Sequence, residues 1–233
     1  MFFVGFLAGG IWALIPGYLK VKFNVNEIIS TIMLNYVALL MIDYLVLGPW
    51  MDPKHPGFPM TPRFSDSAVI PSIPGTRIHL TVILAILSCF ILNEILWRTT
   101  MGFEIRVSGE SRDAARYAGI SYSKVALFVM LVSGGLAGIA GVGEVSGIQH
   151  RLLPELSPGY GYTAIIVAWL AKLNPLMVIP TSFLLGGLFV GVDAIQVVLG
   201  LPMAVVYMFQ GIILFLILGG EILTNYRVKL TWK

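Results

Sequence analysis

Charge is what this sequence has least of. Of its 233 residues, 15 are Lys or Arg and 12 are Asp or Glu, so charged side chains make up 12% of the chain against 57% hydrophobic. A water-soluble domain carries about 25% charged residues, because its surface must stay solvated. The shortage excludes a soluble globule, and it excludes a disordered chain, which needs low hydrophobicity and high charge. Cysteine is nearly absent too: Cys89 stands alone in an apolar run, so no disulfide scaffold is possible and redox compartment cannot be read. A net charge of +3 is too small for a nucleic-acid module. The motifs of covalent chemistry are missing: no G-x-x-x-x-G-K-[ST], no H-E-x-x-H and no G-x-S-x-G. His55, His79 and His150 lack metal-ligand spacing. The expectation is a chain with no catalytic residue, no metal site and no bound cofactor.

Long apolar runs are what the sequence does have. A bilayer core of roughly 30 Å needs about 20 helical residues. Residues 2–18, 28–48, 78–97 and 125–143 are four such runs, and 173–220 is long enough for two, with Gly200 and Pro202 supplying a turn. Residues 160–171 are apolar but too short to cross upright, and Lys172 and Asn174-Pro175 stop them, so a short or broken helix is expected, with a tilted span with ragged ends as the alternative. A short helix at membrane depth is tolerated only where protein or a cavity covers its ends. The predicted fold is all-α: a polytopic transmembrane bundle of about six spans plus one short or broken helix. Gly5/Gly9, Gly134/Gly138, Gly143/Gly147 and Gly187/Gly191 have the small-xxx-small spacing that lets helices pack closely in lipid.

The basic residues sort by side. One set of loops holds Lys20, Lys22, Arg98, Arg106, Arg112, Arg116, Lys124, Lys172, Arg227, Lys229 and Lys233; the other holds Lys54, Arg63, Arg77 and Arg151. The positive-inside rule makes the first side cytoplasmic, provided that 160–172 bring the chain back across. The C-terminus is then cytoplasmic, and residues 49–77 and 144–159 are external. Loop 49–77 carries Pro49, Pro53, Pro56, Pro59, Pro62, Pro71 and Pro74. Proline stiffens an exposed loop, so a rigid cap is expected, with a docking surface for an external partner as the alternative. Met1 enters an apolar run with no basic residues before it, unlike a secretory signal. Its external placement predicts an N-terminally incomplete domain over 1–233.

Segment 98–124 is the most informative. Ser111 suits an N-cap, Asp113 the first turn, Ala114, Ala115 and Ala118 the helix body, and Gly119 a left-handed C′ position. A helix over 112–118 follows. Two turns are unstable alone in water, so it packs on its flanking spans, or acts as a knob that docks on a cytoplasmic partner. Elsewhere, polar residues inside spans are costly and mark functional candidates. Asn35 lies about 12 Å into its span counted from Glu27. Gln210 is mid-span, Asp43 lies nearer the outer face, and Trp169 on the short segment could stack on a sugar or base. These four are the candidates for a substrate pathway, each with interhelical bonding or plain packing as the bland alternative. Glu94 and Arg98, four apart, suit an ion pair.

The run G-F-E-I-R-V-S-G-E-S-R-D-A-A-R-Y-A-G-I, followed by S-G-G-L-A-G-I-A-G, resembles the permease subunits of ABC importers for simple sugars and nucleosides, of the branched-chain amino acid/ribose-type family. V-N-E-I-I-S-T-I-M-L-N-Y at 25–36, G-Y-G-Y-T-A-I-I-V-A at 159–168 and L-N-P-L at 173–176 extend the likeness along the chain. Family members usually have further spans upstream of the region that this chain resembles, so the resemblance implies a truncated or partial permease. The resemblance implies a multi-pass inner-membrane permease that is no enzyme itself. Its implied partners are a cytoplasmic ATP-binding subunit that uses the ATP, a second permease subunit, alike or different, and an external substrate-binding protein. Nucleic acid is not among them. The ATPase-coupling role falls by resemblance on Glu110, Ser111, Arg112, Asp113, Ala114, Ala115, Arg116, Tyr117, Ala118 and Gly119, within a cytoplasmic coupling loop over 98–124. An ion-coupled secondary transporter is the alternative. It would need ionisable residues on its pathway, and Asp43, Glu94 and Asp193 all lie near span ends.

Overall fold

The computed structural model describes the chain except residues 56, 73, 74, 76–78, 155, 157, 158, 201, 203 and 226–233, and in the last two helices it leaves out several side chains, those of Asp193 and Gln210 among them. The described residues are helices and connections: α1 Phe2–Phe23, α2 Glu27–Leu47, α3 Leu80–Arg98, α4 Thr100–Glu110, α5 Arg112–Tyr117, α6 Tyr122–Gly143, α7 Tyr160–Leu170, α8 Val178–Leu199 and α9 Ala204–Asn225. A π-helical turn, Glu144–Gln149, prolongs α6. Among the described residues, α1, α2, α3 and α6 with its extension are long and apolar enough to span a bilayer. Helices α8 and α9 are 22 residues each. The chain is an all-α, multi-pass membrane protein. It divides into two compact units, Met1–Leu156 and Ser157–Lys233.

In the first unit the main packing is α1 against α6, and glycine makes it possible. A Cβ on Gly9 would strike the Gly134 carbonyl, and one on Gly138 would strike the Gly5 carbonyl. The two backbones touch where side chains would hold them apart, the close approach that lipid-embedded helices use in place of a hydrophobic drive. Gly143 meets Thr81 of α3, and Gly147 lies 3.4 Å, measured from an added Cβ, from the His79 ring. A Cβ on Gly187 or Gly191 has nothing within 4 Å among the described residues, so that spacing marks no seam there.

Local chemistry sets the ends. Asn24 takes a left-handed φ of 53° to stop α1, and the Asn26 side chain accepts the Ile28 N–H at 2.9 Å to start α2. Lys20 and Glu27 pair across that turn. At the opposite end of the unit the proline-rich loop is a folded cap. Thr61 and Phe64 donate their backbone N–H groups to Leu152 and His150 carbonyls at 3.1 and 2.9 Å, and Ile70 donates to Ser146 at 3.1 Å. These bonds tie the loop after α2 to the end of α6.

In the second unit α7 is 11 residues long, as its run of apolar residues predicts. Lys172 and Leu173 both take left-handed φ, 50° and 56°, which breaks the helix without glycine. Asn174 then accepts the Leu176 N–H on its side chain at 3.0 Å and leads into α8. Ile166 and Val167 of α7 pack on Leu185 of α8 to form this unit's core.

Candidate functional site

The basic end of the first unit gathers Lys20, Lys22, Arg98, Arg106, Arg112, Arg116 and Lys124 onto the end of α1, the end of α3, α4, α5 and the start of α6. Two hinges shape it. Thr99 accepts the Gly102 N–H at 3.1 Å and so caps α4, a helix that the sequence reading missed. Gly102 is buried because a Cβ there would strike the Ile95 and Leu96 carbonyls of α3. Only a glycine lets α4 fold back this tightly, and Gly102, Ser108 and Gly109 all lower helix propensity; that composition reads as loop. Ser111 is the second hinge. Its N–H closes α4 on Val107 and its hydroxyl accepts the Ala114 N–H at 3.3 Å.

Helix α5 is thus bounded on both sides. Asp113 lies in its first turn, Ala118 follows its last residue and Gly119 takes φ 74°. Ile120 donates its N–H back to Ala115 at 2.9 Å, so the turn is sealed. Ala115 is fully buried and is the only buried residue of α5; Tyr117 is 94% exposed, and Arg112, Asp113, Ala114, Arg116, Ala118 and Gly119 are exposed with it. One small foot holds the helix down and everything else is presented outward. Its orientation is fixed from behind. The Arg112 guanidinium lies 4.1 Å over the Tyr122 ring and donates to Asn24 Oδ1 at 3.4 Å, which ties α5 to the α1–α2 turn. Arg106 lies 4.8 Å over the Trp97 ring. Glu110 stands exposed on the approach to α5 and lines a cavity of about 560 Å³ with Lys20, Glu27 and Ser108. Glu94 and Arg98 form the ion pair their spacing predicts, at 3.2 Å.

What this arrangement offers is a rigid, capped, polar projection suited to contact with another protein.

Two of the pathway candidates lie on α2 of the first unit and two in the second unit. Asn35 is exposed on α2, and Asp43 is half-buried two turns further on. Asp43 lines a second cavity of about 560 Å³ at the cap end with Leu47, Phe58, Met60 and Leu153. Trp169 is 44% exposed on α7 in the second unit. Gln210 lies on α9, with its side chain outside the described ones.

Residues 1–218 match the family described as branched-chain amino acid transport system / permease component, and the chain belongs to that family. It is 33% identical over its whole length to the glucose ABC transporter permease TsgB13 of Haloferax volcanii, covering 64% of that protein. It is 35% identical over 97% of its length to the guanosine ABC transporter permease NupP of Bacillus subtilis, covering 66% of it. It is 29% identical over 77% of its length to a second guanosine permease of the same bacterium, NupQ, covering 58%. The chain therefore spans somewhat under two-thirds of the length of these relatives. No solved structure matches it.

Proposed function

We propose that this chain forms the membrane-spanning permease subunit of an ATP-driven importer in the inner membrane, carrying a nucleoside or a simple sugar that an external binding protein delivers. ATP is hydrolysed on a separate cytoplasmic subunit, and a second permease subunit completes the pathway. The basic end faces the cytoplasm, the cap faces outward and the C-terminus is cytoplasmic.

The observation that carries this reading is α5. A six-residue helix has too few internal bonds to stand alone, yet this one is capped at both ends, footed on Ala115 and uncovered everywhere else. Such a helix transmits position. If the ATP-binding subunit grips Glu110 through Gly119, movement of that subunit passes through Arg112 to the α1–α2 turn, and through Ser111 to α4 and α3. The names of the relatives support the same class, and favour it over an ion-coupled carrier. They also support the choice of cargo, since guanosine and glucose are what those permeases are named for.

Tyr117 gives the sharpest test, because its side chain is almost wholly uncovered and this fold does not depend on it. Tyrosine and arginine anchors at protein interfaces are worth about 2 kcal/mol or more. Tyr117→Ala with Arg116→Glu, in the assembled transporter, is expected to release the ATP-binding subunit on purification and to lower ATP-dependent uptake at least tenfold, with normal amounts in the membrane. Full uptake and co-purification in that variant would remove the assignment. Uptake that persists without ATP would favour the ion-coupled carrier.

A further inference from the structure

At the cap end, Asp43 lines a cavity of about 560 Å³ whose other described lining residues are uncharged and apolar, from the end of α2, the cap and the segment after α6. Among the described residues no hydrogen bond or ion pair reaches this carboxylate. Ionised, it can only accept, at about four lone-pair positions. A half-buried carboxylate in an apolar wall beside a membrane span marks a functional candidate, and its free lone pairs are open to a ligand's donors. Phe58, 64% exposed, borders the same space.

A metal cation fits poorly: a hard cation takes about six to eight oxygen ligands, and among the described residues Asp43 is the only side chain on this wall that carries an oxygen. A cyclic polyol fits well. Its ring hydroxyls donate from the edge while its C–H face lies on aromatic or aliphatic surface. The volume lies within the roughly 300–1,000 Å³ of small-molecule sites.

We propose that this cavity is a sugar-ring site, in which Asp43 accepts hydrogen bonds from two neighbouring ring hydroxyls and Phe58 covers the ring face. The assignment rests on the importer reading given under Proposed function and deepens it. A simple sugar and a nucleoside share a hydroxyl-bearing ring, so one carboxylate serves both and the base takes no part in recognition here. At the outer end of α2 the site receives cargo as the binding protein releases it.

The test is uptake by the assembled transporter of guanosine and of 2′,3′-dideoxyguanosine, always with the same binding protein, so that protein's own preference cancels between variants. Asp43→Asn is expected to lower guanosine uptake efficiency about tenfold or more, the weight of a charge-assisted hydrogen bond, and to leave the dideoxy compound within about twofold. Equal loss of both would mean a structural role and overturn the proposal, as would no loss of either. Phe58→Leu lies on the cap, outside the spans, and is expected to lower both compounds alike by about threefold, since stacking ignores the hydroxyls. Should Asp43→Asn fail to assemble, unchanged uptake in Phe58→Leu overturns the proposal. If the wild type moves glucose instead, the same ratio is taken against 2-deoxy- and 3-deoxyglucose. A wild type that moves neither guanosine nor glucose with ATP present defeats the importer reading and this site with it. A working wild type with an indifferent Asp43 defeats the site alone.

Discussion

Two regions of this chain are built from the same small residues and put them to opposite use. Along the α1–α6 seam, Gly5 and Gly9 meet Gly134 and Gly138 backbone to backbone. On α5, Ala114, Ala118 and Gly119 are uncovered and only Ala115 is buried. In the seam the missing side chain permits contact within the chain. On α5 it leaves a low surface from which Tyr117 and Arg116 project. Small residues alone therefore do not say which is meant. The difference lies in charge: residues 125–143 carry none, whereas 110–116 carry four charged side chains. A seam must exclude polar groups in lipid, and a projecting helix must stay solvated.

The largest effect is expected where the seam is filled. Gly138→Val puts a branched side chain against the Gly5 carbonyl. Overpacking typically costs about 1–3 kcal/mol, and backbone cannot swing aside as a side chain can, so the upper end is expected. Gly141 is the control on the same helix, since a Cβ there meets nothing within 4 Å among the described residues. Gly141→Ala should be neutral or gain up to about 1 kcal/mol of helix propensity. Thermal unfolding in detergent measures both, and equal loss from the two would show that the seam is not special.

A smaller and strictly local effect is expected on α5. Ser111→Ala removes the acceptor for the Ala114 N–H, a change worth about 1 kcal/mol. Gly119→Ala places a Cβ at φ 74°, at a cost of about 1–2 kcal/mol. Either should raise amide hydrogen exchange at Ala114, Ala115 and Ile120 by roughly fivefold or more while the melting temperature stays put, because a 1 kcal/mol opening of a surface turn need not involve the core. A matching fall in melting temperature would mean that α5 is part of the core and that the contrast with the seam is false.

Much of this was legible in the sequence, for reasons particular residues make plain. Ser111, Asp113 and Gly119 announce α5 because caps and C′ glycines act locally, within three or four residues. The α1–α6 glycines announce a seam, but not which helix faces which. The spacing of Gly187 and Gly191 is the same and finds no neighbour among the described residues. Helix α4 was hidden because its two glycines lower its propensity, and what permits it is tertiary: Gly102 against the carbonyls of α3. The bonds that join the cap to His150 and Leu152 were hidden too, since pairing across some 90 residues leaves no local signal. Asp43 was visible as an ionisable residue in a span. That Phe58 and Met60 line one cavity with it was not.

The smallest expected effect tests whether the two ends respond separately. At the cap, the Asp52 carboxylate accepts the Lys54 N–H at 2.9 Å and lies 3.0 Å from the His55 ring. The Lys54 N–H first, and His55 after it, hold this carboxyl below the usual aspartate range. The ordinary value is about 3.9. A depressed carboxylate adds stability that is complete above the ordinary value and is lost as pH falls through the lower, folded one. Protection of the Thr61, Phe64 and Leu152 amides, which bond across the cap, should therefore hold down to about pH 4 and decline below it. Asp52→Asn should flatten that decline, because asparagine has no proton to gain. The Ala114 and Ala115 amides of α5 contact none of these groups, so their protection should not follow the same step. If acid loosens α5 and the cap together, with one midpoint and one response to Asp52→Asn, then the basic end and the cap open as a unit. A signal from the basic end would then reach the cap through the α1–α6 seam as a rigid rod, and the contrast between seam and projection would become the mechanism by which the two are joined.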